Sequence, residues 1–354
     1  MASKVIRLGL IGAGGNTRSR HIPGFKAQEG VEIVCVANRT PESAKKVADE
    51  FGIKRVAANW TDVLADDGVD AVCIGTWPYM HEELLTAALK AGKHVLCEAR
   101  MAMNVAEARR MLKESRRHPA LTAQIVPAPH TLAFDKTIVG MIGSGYIGDL
   151  ITLDARVTVT SDFPKSESPV HWRHDRVLSG NNIMGMGIWY EAMMRWVGQA
   201  STVQAVGQSV VAHRTDKSGA RVAMTIPDHV DILSRMEQGG QMRFSFSTVL
   251  GLAPMQAEAC IFGTEGTICL RQDKAGKMSL WSGKRGDSDL KEVAIDPAKR
   301  GGWCVEEEFI NAIRGREPVT HTDLATGVKY MEWTDAVTLA LRSGNAVRLP
   351  LAEA

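Results

Sequence analysis

The first third of the sequence, from Val5 to about Pro127, alternates short apolar runs with segments of helical pattern. The runs are too continuous for strands with a solvent face and are typical of parallel strands covered on both sides. Capping patterns that begin at Thr40 and Asn104 mark helix starts between them. This order predicts an α/β doubly wound sheet with a ligand at the carboxyl ends of its strands. The runs are VIRLGLIG, VEIVCVAN, DAVCIGT, HVLCEA and LTAQIVP.

The rest of the chain carries longer strand-like runs, with hairpin signals at Gly239-Gly240 and at Thr264-Glu265-Gly266. At 354 residues the chain is long enough for two domains of about 150 residues each. The change of pattern therefore predicts a second, strand-rich domain after the first.

Charge and cysteine content exclude several classes of protein. The 42 Lys and Arg residues barely exceed the 40 Asp and Glu residues, so no strong field attracts nucleic acid or anionic lipid. No run of about 18 apolar residues or secretory signal is present, which predicts a cytoplasmic protein with no membrane contact. The six cysteines are scattered without a C-x-x-C pair, and we expect buried thiols, no disulfide and no metal site.

A glycine cluster follows the first strand in GLIGAGGNTRSRH. Gly12, Gly14 and Gly15 allow a tight turn and close backbone approach, so that a pyrophosphate can lie on the N-terminus of the next helix. Thr17 replaces the third glycine of the usual G-x-G-x-x-G pattern. An ordinary turn is the alternative, but the position at the head of a β-α-β series favours dinucleotide binding.

The second strand ends in VANRT, where an enzyme that uses NAD places an acid on the ribose hydroxyls. Asn38 stands in that position and is followed by Arg39 and Thr40. The missing acid and the added arginine suit a 2′-phosphate, which favours NADP over NAD. The alternative is a solvated arginine beside an N-capping threonine.

Several segments in the right order resemble the Gfo/Idh/MocA family of sugar, inositol and related dehydrogenases. They are the glycine loop with RHIPGF, TWPYMHEELLTAALKAGKHVLCE, GMIGSGYIGDL and the tail from EEFINAIRGREP onward. Together with the glycine loop, the resemblance gives a predicted set of cofactor-binding residues. The set is Gly12, Gly14, Gly15, Asn16, Thr17, Asn38, Arg39, Thr40, Thr76, Trp77, Pro78, His81 and Glu98.

The resemblance also implies the domain organisation. A Rossmann domain would span residues 1–125, and an α+β domain with a large open, mainly antiparallel sheet would span residues 126–354. Helices near residues 303–343 would pack back on the first domain. Family members associate through the open face of that sheet, which implies a homodimer or homotetramer.

The sequence departs from the family where the chemistry is expected. Resemblance places the family's catalytic Lys at Ala99 and the following Pro at Arg100, while its Asp, His and second Asp fall on Gly185, Trp189 and Ala192. Oxidation of an alcohol needs a base, which contributes a factor of about 10²–10⁴ in rate. The usual residues are therefore not expected to carry out the proton transfer.

Other side chains are candidates for the missing roles. Tyr190 is the phenol nearest to the lost His, although packing is the alternative role for it. Trp189 could form a wall for a sugar or aromatic ring, and His130 is a further candidate acid or base, or else structural. Arg100 and the HWRHDR segment could bind an anionic group, with a solvated loop as the alternative. The predicted catalytic residues are Tyr190, His174 and Arg100, and the predicted substrate residues are Trp189, Arg173, His130 and Asn182.

Three functions remain open, in order of preference. The first is an NAD(P)-dependent oxidoreductase for a sugar-like, polyol or related carbonyl substrate, with a changed proton relay. The second is a redox-neutral glycosidase or lyase that recycles its cofactor, and the third is a non-catalytic sensor that binds the nucleotide.

Overall fold

The structure of the protein is a computed structural model that describes residues 5–159 and 162–352. The chain forms two compact units. The first comprises Met1–Pro127 and Trp303–Met331, and the second comprises Ala128–Gly302 and Glu332–Ala354. The first unit thus includes a segment from near the carboxyl end of the chain.

The first unit contains a parallel six-stranded sheet. Its strands are β1 (Ile6–Ile11), β2 (Val31–Ala37), β3 (Arg55–Val56), β4 (Ala71–Ile74), β5 (His94–Cys97) and β6 (Ala123–Ile125), in the spatial order β3-β2-β1-β4-β5-β6. All four residues of β4 are buried, as expected for a strand covered on both faces. The order reverses direction between β1 and β4, and a crevice for a ligand forms at such a switch point. The predicted doubly wound fold is confirmed.

The second unit contains the large sheet. Its strands are β7 (Leu150–Thr158), β8 (Ala200–Gln208), β11 (His229–Met236), β12 (Gln241–Ser247), β13 (Ala257–Gly263), β14 (Gly266–Gln272), β15 (Met278–Lys284), β16 (Lys291–Glu292) and β17 (Val347–Arg348), and a separate hairpin consists of β9 (His213–Thr215) and β10 (Arg221–Ala223). The nine strands lie in the order β16-β15-β14-β13-β7-β12-β11-β8-β17. Only β7 and β12 pair in parallel, so the predicted mainly antiparallel sheet is confirmed.

One face of this sheet is buried and the other is exposed. Along β11 the residues alternate strictly, with Val230 and Ile232 buried and Asp231 and Leu233 exposed. The alternation is the pattern of a sheet with one solvent face. Val206 of β8 is also exposed, at 78% of its surface.

Helices flank both sheets. They are α1 (Ile22–Lys26), α2 (Pro41–Phe51), α3 (Trp60–Leu64), α4 (His81–Lys90), α5 (Val105–Arg117), α6 (Leu132–Gly143), α7 (Arg176–Ser179), α8 (Met186–Val197), α9 (Val305–Ile313) and α10 (Leu324–Ser343). Shorter helical turns cover Thr17–His21, Pro78–Met80, Trp172–His174 and Pro297–Lys299. In the described part of the chain, no helix combines the length and the hydropathy that crossing a membrane requires.

The prediction that the chain has no disulfide is wrong. Cys260 in β13 and Cys269 in β14 lie directly opposite each other and form a disulfide. The pairing depends on the register of the β13–β14 hairpin, which a search for closely spaced cysteines does not detect. The four other cysteines lie outside this disulfide, and no cluster of metal-binding side chains occurs within residues 5–159 and 162–352.

Candidate functional site

The glycine loop turns sharply after β1. Gly12 has a φ of +83°, and a Cβ atom there would lie 2.6 Å from Cγ2 and 2.8 Å from the backbone nitrogen of Thr76. No atom lies within 4 Å of the corresponding position on Gly15, and the nearest atom to that of Gly14 is 3.8 Å away. Gly12 is therefore required by the turn itself, and the N–H of Gly14 donates a hydrogen bond of 2.9 Å to the carbonyl of Gly12, whereas the Cβ positions of Gly14 and Gly15 face open space at the start of the next helix. This space suits the close approach of a pyrophosphate.

The three residues after β2 that are predicted to bind the cofactor make different contacts. Asn38 Oδ1 accepts a hydrogen bond of 2.7 Å from the backbone N–H of Ala13, so Asn38 fixes the glycine loop. Thr40 caps α2 by accepting a hydrogen bond from the N–H of Ser43. Arg39 is exposed, and its guanidinium lies 5.8 Å from the ring centroid of Trp77, which follows β4. Arg39 thus holds a cationic group at the edge where a ribose phosphate would lie.

The segments after β4 and β5 are joined through His81. Its Nδ1 lies 2.9 Å from the carbonyl oxygen of Arg100, and its Nε2 lies 3.1 Å from that of Thr76. Burial lowers the pKa of His81, since the backbone contacts only partly oppose the loss of solvent. The hydroxyl group of Thr76 is buried and has no hydrogen-bond partner in the described part of the chain. A buried hydroxyl of this kind is available to a ligand, and it fits a bound dinucleotide.

Arg100 lies inside the first unit, with 1% of its surface exposed, and the preceding peptide bond is cis. The N–H of Met101 donates a hydrogen bond to the hydroxyl of Tyr330. This segment is therefore tightly packed, and the role predicted for Arg100 in substrate binding remains a prediction.

A buried carboxylate–histidine–carboxylate triad lies beside the glycine loop. His21 is fully buried, with its Nδ1 2.5 Å from Glu306 Oε1 and its Nε2 3.1 Å from Glu98 Oε1. Asn16 donates a hydrogen bond to Glu98, and the indole N–H of Trp303 donates one of 2.9 Å to Glu306. The triad connects two predicted cofactor residues, Asn16 and Glu98, to α9.

Electrostatics keep the imidazole of the triad charged. Burial opposes the charge on His21, but the hydrogen bonds to Glu306 and Glu98 outweigh it and raise the pKa of His21 to about 9. Burial likewise opposes the charge on Glu98, but the contacts with His21 and Asn16 lower the pKa of that carboxyl below its usual value. Sequence reasoning missed His21 and Glu306 because 285 residues separate them and nothing local links them.

In the second unit, Tyr190 lies in the packed interior of α8. It is 1% exposed, its ring stacks on Trp333 at 3.9 Å, and its hydroxyl accepts a hydrogen bond of 2.9 Å from the N–H of Ala200. Burial raises the pKa of Tyr190 above its usual value. These contacts favour packing, the alternative considered for this residue, and nothing in the geometry supports a role in proton transfer.

The structure brings together two predicted substrate residues, His130 and Trp189. Their rings stack with an angle of 4° between their planes and with centroids 4.4 Å apart. Trp189, in the first turn of α8, is 6% exposed, whereas His130 is exposed to solvent. An imidazole therefore stacks on the indole that occupies the position where the family resemblance places a histidine.

Arg195 of α8 contacts residues on both sides of His130. The guanidinium of Arg195 donates hydrogen bonds of 3.0 Å to the carbonyl of Ala128 and to the hydroxyl of Thr131. It also pairs with Glu191, which accepts a hydrogen bond from the N–H of Ala128. This network holds the segment before α6 against the helix that carries Trp189.

The charged segment that contains HWRHDR is partly folded on itself. His171 and His174 cap a single helical turn reciprocally, and Arg176 donates a hydrogen bond of 2.8 Å to the carbonyl of Thr225. The guanidinium of Arg173 lies 4.2 Å from the ring centroid of Trp172. Asn182 is buried and donates to the carbonyl of Ser179, which gives it a structural contact.

A glycine substitution tests the geometry of the loop. We expect Gly12→Ala to lower the free energy of unfolding by about 1–3 kcal/mol, because alanine adopts a φ of +83° only with strain and its Cβ would contact the backbone of Thr76. Gly15→Ala should leave stability unchanged but weaken binding of NADPH, because its Cβ points into open space. Denaturant unfolding and a fluorescence titration would measure the two effects. Equal stability of Gly12→Ala and Gly140→Ala, a control in α6 with no neighbour within 4 Å, would contradict this account.

The geometry agrees with what family models detect. Residues 6–124 match the model for the oxidoreductase family with an NAD-binding Rossmann fold, and residues 136–269 match the model for the GFO/IDH/MocA C-terminal domain. The chain belongs to the Gfo/Idh/MocA oxidoreductase family. The resemblance stated from the sequence is thus confirmed, as is the prediction of an oxidoreductase of the NAD(P)-binding type.

Individual members of the Gfo/Idh/MocA family align over most of the chain. It is 28% identical to 4-carboxy-2-hydroxymuconate-6-semialdehyde dehydrogenase of Sphingobium sp., over 88% of this chain and 92% of that protein. It is 28% identical to 1,5-anhydro-D-fructose reductase of Ensifer adhaerens, over 97% and 98%. Levoglucosan dehydrogenase in complex with NADH and L-sorbose superposes with a TM-score of 0.82 at 21% identity, over 98% of this chain and 99% of that one, which shows the shared fold.

Proposed function

We propose that the protein is an NADP-linked oxidoreductase that interconverts a hydroxyl and a carbonyl group on a sugar-like or polyol substrate, with His130 as the group that exchanges the substrate's proton. The observation that carries the proposal is the parallel stacking of His130 on Trp189. Relatives named for the reduction of anhydrofructose and for the oxidation of a semialdehyde support this reaction class.

His130 meets the chemical requirements for this role. Imidazole gains or loses a proton near neutral pH, whereas the indole of Trp189 cannot. The electron-rich face of an indole stabilises a cation stacked on it, and this favours the imidazolium that forms when His130 accepts a proton. The hydrogen bonds from Arg195 to the carbonyl of Ala128 and the hydroxyl of Thr131 hold the segment that carries His130 against α8.

The dinucleotide, when bound, would supply hydride acceptance and donation. The glycine loop would hold its pyrophosphate through backbone N–H groups, and the buried hydroxyl of Thr76 would donate or accept one hydrogen bond. Arg39 would pair with a 2′-phosphate. Binding of substrate beside His130 would then place the reacting hydroxyl within reach of the imidazole.

Steady-state assays test the proposed reaction. The protein would be incubated with NADPH or NADP⁺ and with pairs of sugars, polyols and their keto forms, while the absorbance of the reduced nicotinamide is followed. We expect net oxidation or reduction of at least one pair, with cofactor consumed in equal amount. Conversion of substrate without net change of cofactor would contradict the proposal and identify the redox-neutral alternative instead.

The choice of NADP rests on Arg39 and has its own test. We expect Arg39→Ala to weaken binding of NADPH about tenfold or more, because a charge-assisted hydrogen bond contributes about 1.5–3 kcal/mol. Binding of NADH should not change. Lys45→Ala is the control. It removes an exposed cation that lies in α2, and the preference for NADPH over NADH should not change. Equal loss of NADPH and NADH affinity in Arg39→Ala would remove the argument for NADP.

We also propose that the protein is cytoplasmic and assembles as a homodimer or homotetramer through the exposed face of the nine-stranded sheet. The exposed Leu233 and Val206 on that face support the assembly. Sedimentation of the wild type and of a Leu233→Glu, Val206→Glu variant would test it.

A further inference from the structure

A cavity lies in the first unit at the amino ends of its parallel strands. Its volume is about 670 Å³, within the range of pockets that hold small organic ligands. Ile6 begins β1, Asp70 precedes β4 and His94 begins β5, and all three residues line the cavity. The glycine loop and the other predicted cofactor residues follow the opposite, carboxyl ends of these strands. Because β1 has six residues, at about 3.3 Å each, the cavity lies about 20 Å from the predicted cofactor site.

A buried ammonium group is the first sign that this cavity suits an anion. Lys93, directly before β5, lines the cavity and is 7% exposed. Its Nζ donates hydrogen bonds of 2.9 Å and 2.7 Å to the carbonyls of Asp66 and Val69. No carboxylate of the described residues lies within ion-pair distance of this ammonium group. An ammonium group has three N–H donors, so Lys93 keeps one donor and a charge that only carbonyl groups stabilise.

Two arginines that follow α9 line the same cavity. Arg314 is half-buried, and its Nη2 donates a hydrogen bond to the carbonyl of Glu29. Its Nε is buried and has no hydrogen-bond partner within residues 5–159 and 162–352, and its Nη1 makes no hydrogen bond there either. Arg316 is exposed, and its Nη1 makes a long contact of 3.4 Å with Oδ1 of Asn311. Both guanidinium groups therefore keep N–H donors for a ligand.

His94 adds a neutral donor to the wall of the cavity. Its Nδ1 accepts a hydrogen bond of 2.9 Å from the backbone N–H of Thr122, so a neutral ring carries its proton on Nε2. Burial lowers the pKa of His94, against a smaller opposing effect of Asp70. The Nε2–H group is therefore present at neutral pH, and it has no hydrogen-bond partner in the described part of the chain.

The two acidic residues of the cavity do not cancel its positive charge. Asp70 accepts hydrogen bonds of 2.9 Å from Nε and from Nη2 of Arg7, so this carboxylate is already paired. Asp67 is exposed, and solvent screens its charge. The three lining cations and the one acid without an ion pair among the described residues leave a net charge of +2.

We propose that this cavity binds a phosphate group, either free phosphate or that of a phosphate monoester. A phosphate group carries a charge of about −1.5 to −2 at neutral pH, which matches the cavity, and its oxygens accept several charge-assisted hydrogen bonds. Arg314, Arg316 and Lys93 donate to these oxygens. A wall of aliphatic side chains beside them favours the monoester, because it suits an organic group. The aliphatic residues are Ile6, Val69 and Ile313. The site is separate from the cofactor site and does not rest on the proposed function.

Isothermal titration calorimetry with phenyl phosphate tests the site without turnover. The proteins compared are the wild type, Arg314→Gln, Arg316→Gln and Arg221→Gln, a control that removes an exposed arginine from β10 in the second unit. We expect phenyl phosphate to bind the wild type and Arg221→Gln with equal affinity. It should bind Arg314→Gln about tenfold more weakly and Arg316→Gln about three- to tenfold more weakly, because each variant loses one charge-assisted contact. Phenol, which lacks the phosphate group, should not bind.

Inorganic phosphate distinguishes the two sources of the ligand. Tighter binding of phenyl phosphate than of inorganic phosphate assigns the site to a monoester, whereas equal affinity assigns it to free phosphate. Either ligand should raise the melting temperature of the wild type, because it binds the folded state. The exposed Arg316 keeps the test decisive if Arg314→Gln does not fold.

A titration in the presence of saturating NADPH separates this cavity from the cofactor site. We expect the affinity for phenyl phosphate to stay within about twofold, because the two sites lie at opposite ends of the strands. Loss of phenyl phosphate binding in NADPH would place the ligand in the cofactor site and overturn the proposal. So would the absence of binding of both phosphates at millimolar concentration, or equal affinity of Arg316→Gln and Arg221→Gln.

Discussion

Replacement of His130 by glutamine is expected to lower kcat by about 10²–10⁴-fold, the contribution that a positioned acid or base makes to proton transfer. The affinity for NADPH should stay within about twofold, because His130 lies in the second unit and the predicted cofactor residues lie in the first. Stopped-flow measurement of hydride transfer, together with a cofactor titration, would separate the two effects. Glutamine is similar to histidine in size and polarity but does not exchange a proton near neutral pH. The substitution therefore removes the proposed proton transfer and changes little else.

Two further variants make the result specific to His130. His118→Gln removes a histidine from the end of α5 and should leave kcat unchanged. Tyr190→Phe should leave kcat within a few-fold and lower stability by about 1 kcal/mol, because it loses only the hydrogen bond from Ala200. If His130→Gln retained wild-type kcat while Tyr190→Phe lost it, the proton relay would run through the tyrosine, as the sequence first suggested.

The second large effect that we expect comes from the buried triad, which should make the free energy of unfolding depend on pH. The pKa of His21 is about 9 in the folded protein, against about 6.5 in an unfolded chain. The stability that this shift contributes is fully present below about pH 6.5 and is lost as the pH rises through about 9. We expect the free energy of unfolding of the wild type to fall over that range by about 3 kcal/mol more than that of His21→Gln, since each pKa unit corresponds to about 1.4 kcal/mol.

Variants of the carboxylates distinguish the effect of the triad on stability from the effect of removing a negative charge elsewhere. Glu306→Gln should cost about 3–5 kcal/mol at neutral pH, because it removes one partner of a buried charged group. Glu307→Gln, an exposed neighbour on α9, should cost almost nothing. Glu98 affects stability at acidic pH. Its pKa is lower in the folded protein than in the unfolded chain, so the stability that it contributes is present above the pKa of the unfolded chain and is lost as the pH falls through the pKa of the folded protein. Parallel pH curves for the wild type and His21→Gln would show that the imidazole is not held protonated.

The parts of the fold that depend on local pattern could be predicted from the sequence. Continuous apolar runs identified β1, β2, β4 and β5, and the glycine cluster after β1 identified the turn that Gly12 makes. The capping roles of Thr40 and Asn104 also follow from their position before a helix. In each case neighbouring residues determine the conformation.

The features that depend on distant contacts could not be predicted. His21 meets Glu306 only because α9 packs against α1, and Cys260 meets Cys269 only because of the hairpin register. Tyr190 was considered for chemistry because it follows Trp189, yet its burial against Trp333 depends on the position of α10.

The most direct test of this account is a titration of the folded, nucleotide-free protein with NADPH and NADH, followed by quenching of its tryptophan fluorescence. We predict saturable binding of NADPH at micromolar concentration, weaker binding of NADH, and a loss of NADPH affinity in Gly15→Ala. Absence of binding by either nucleotide, in protein shown to be folded and free of copurified nucleotide, would contradict the account.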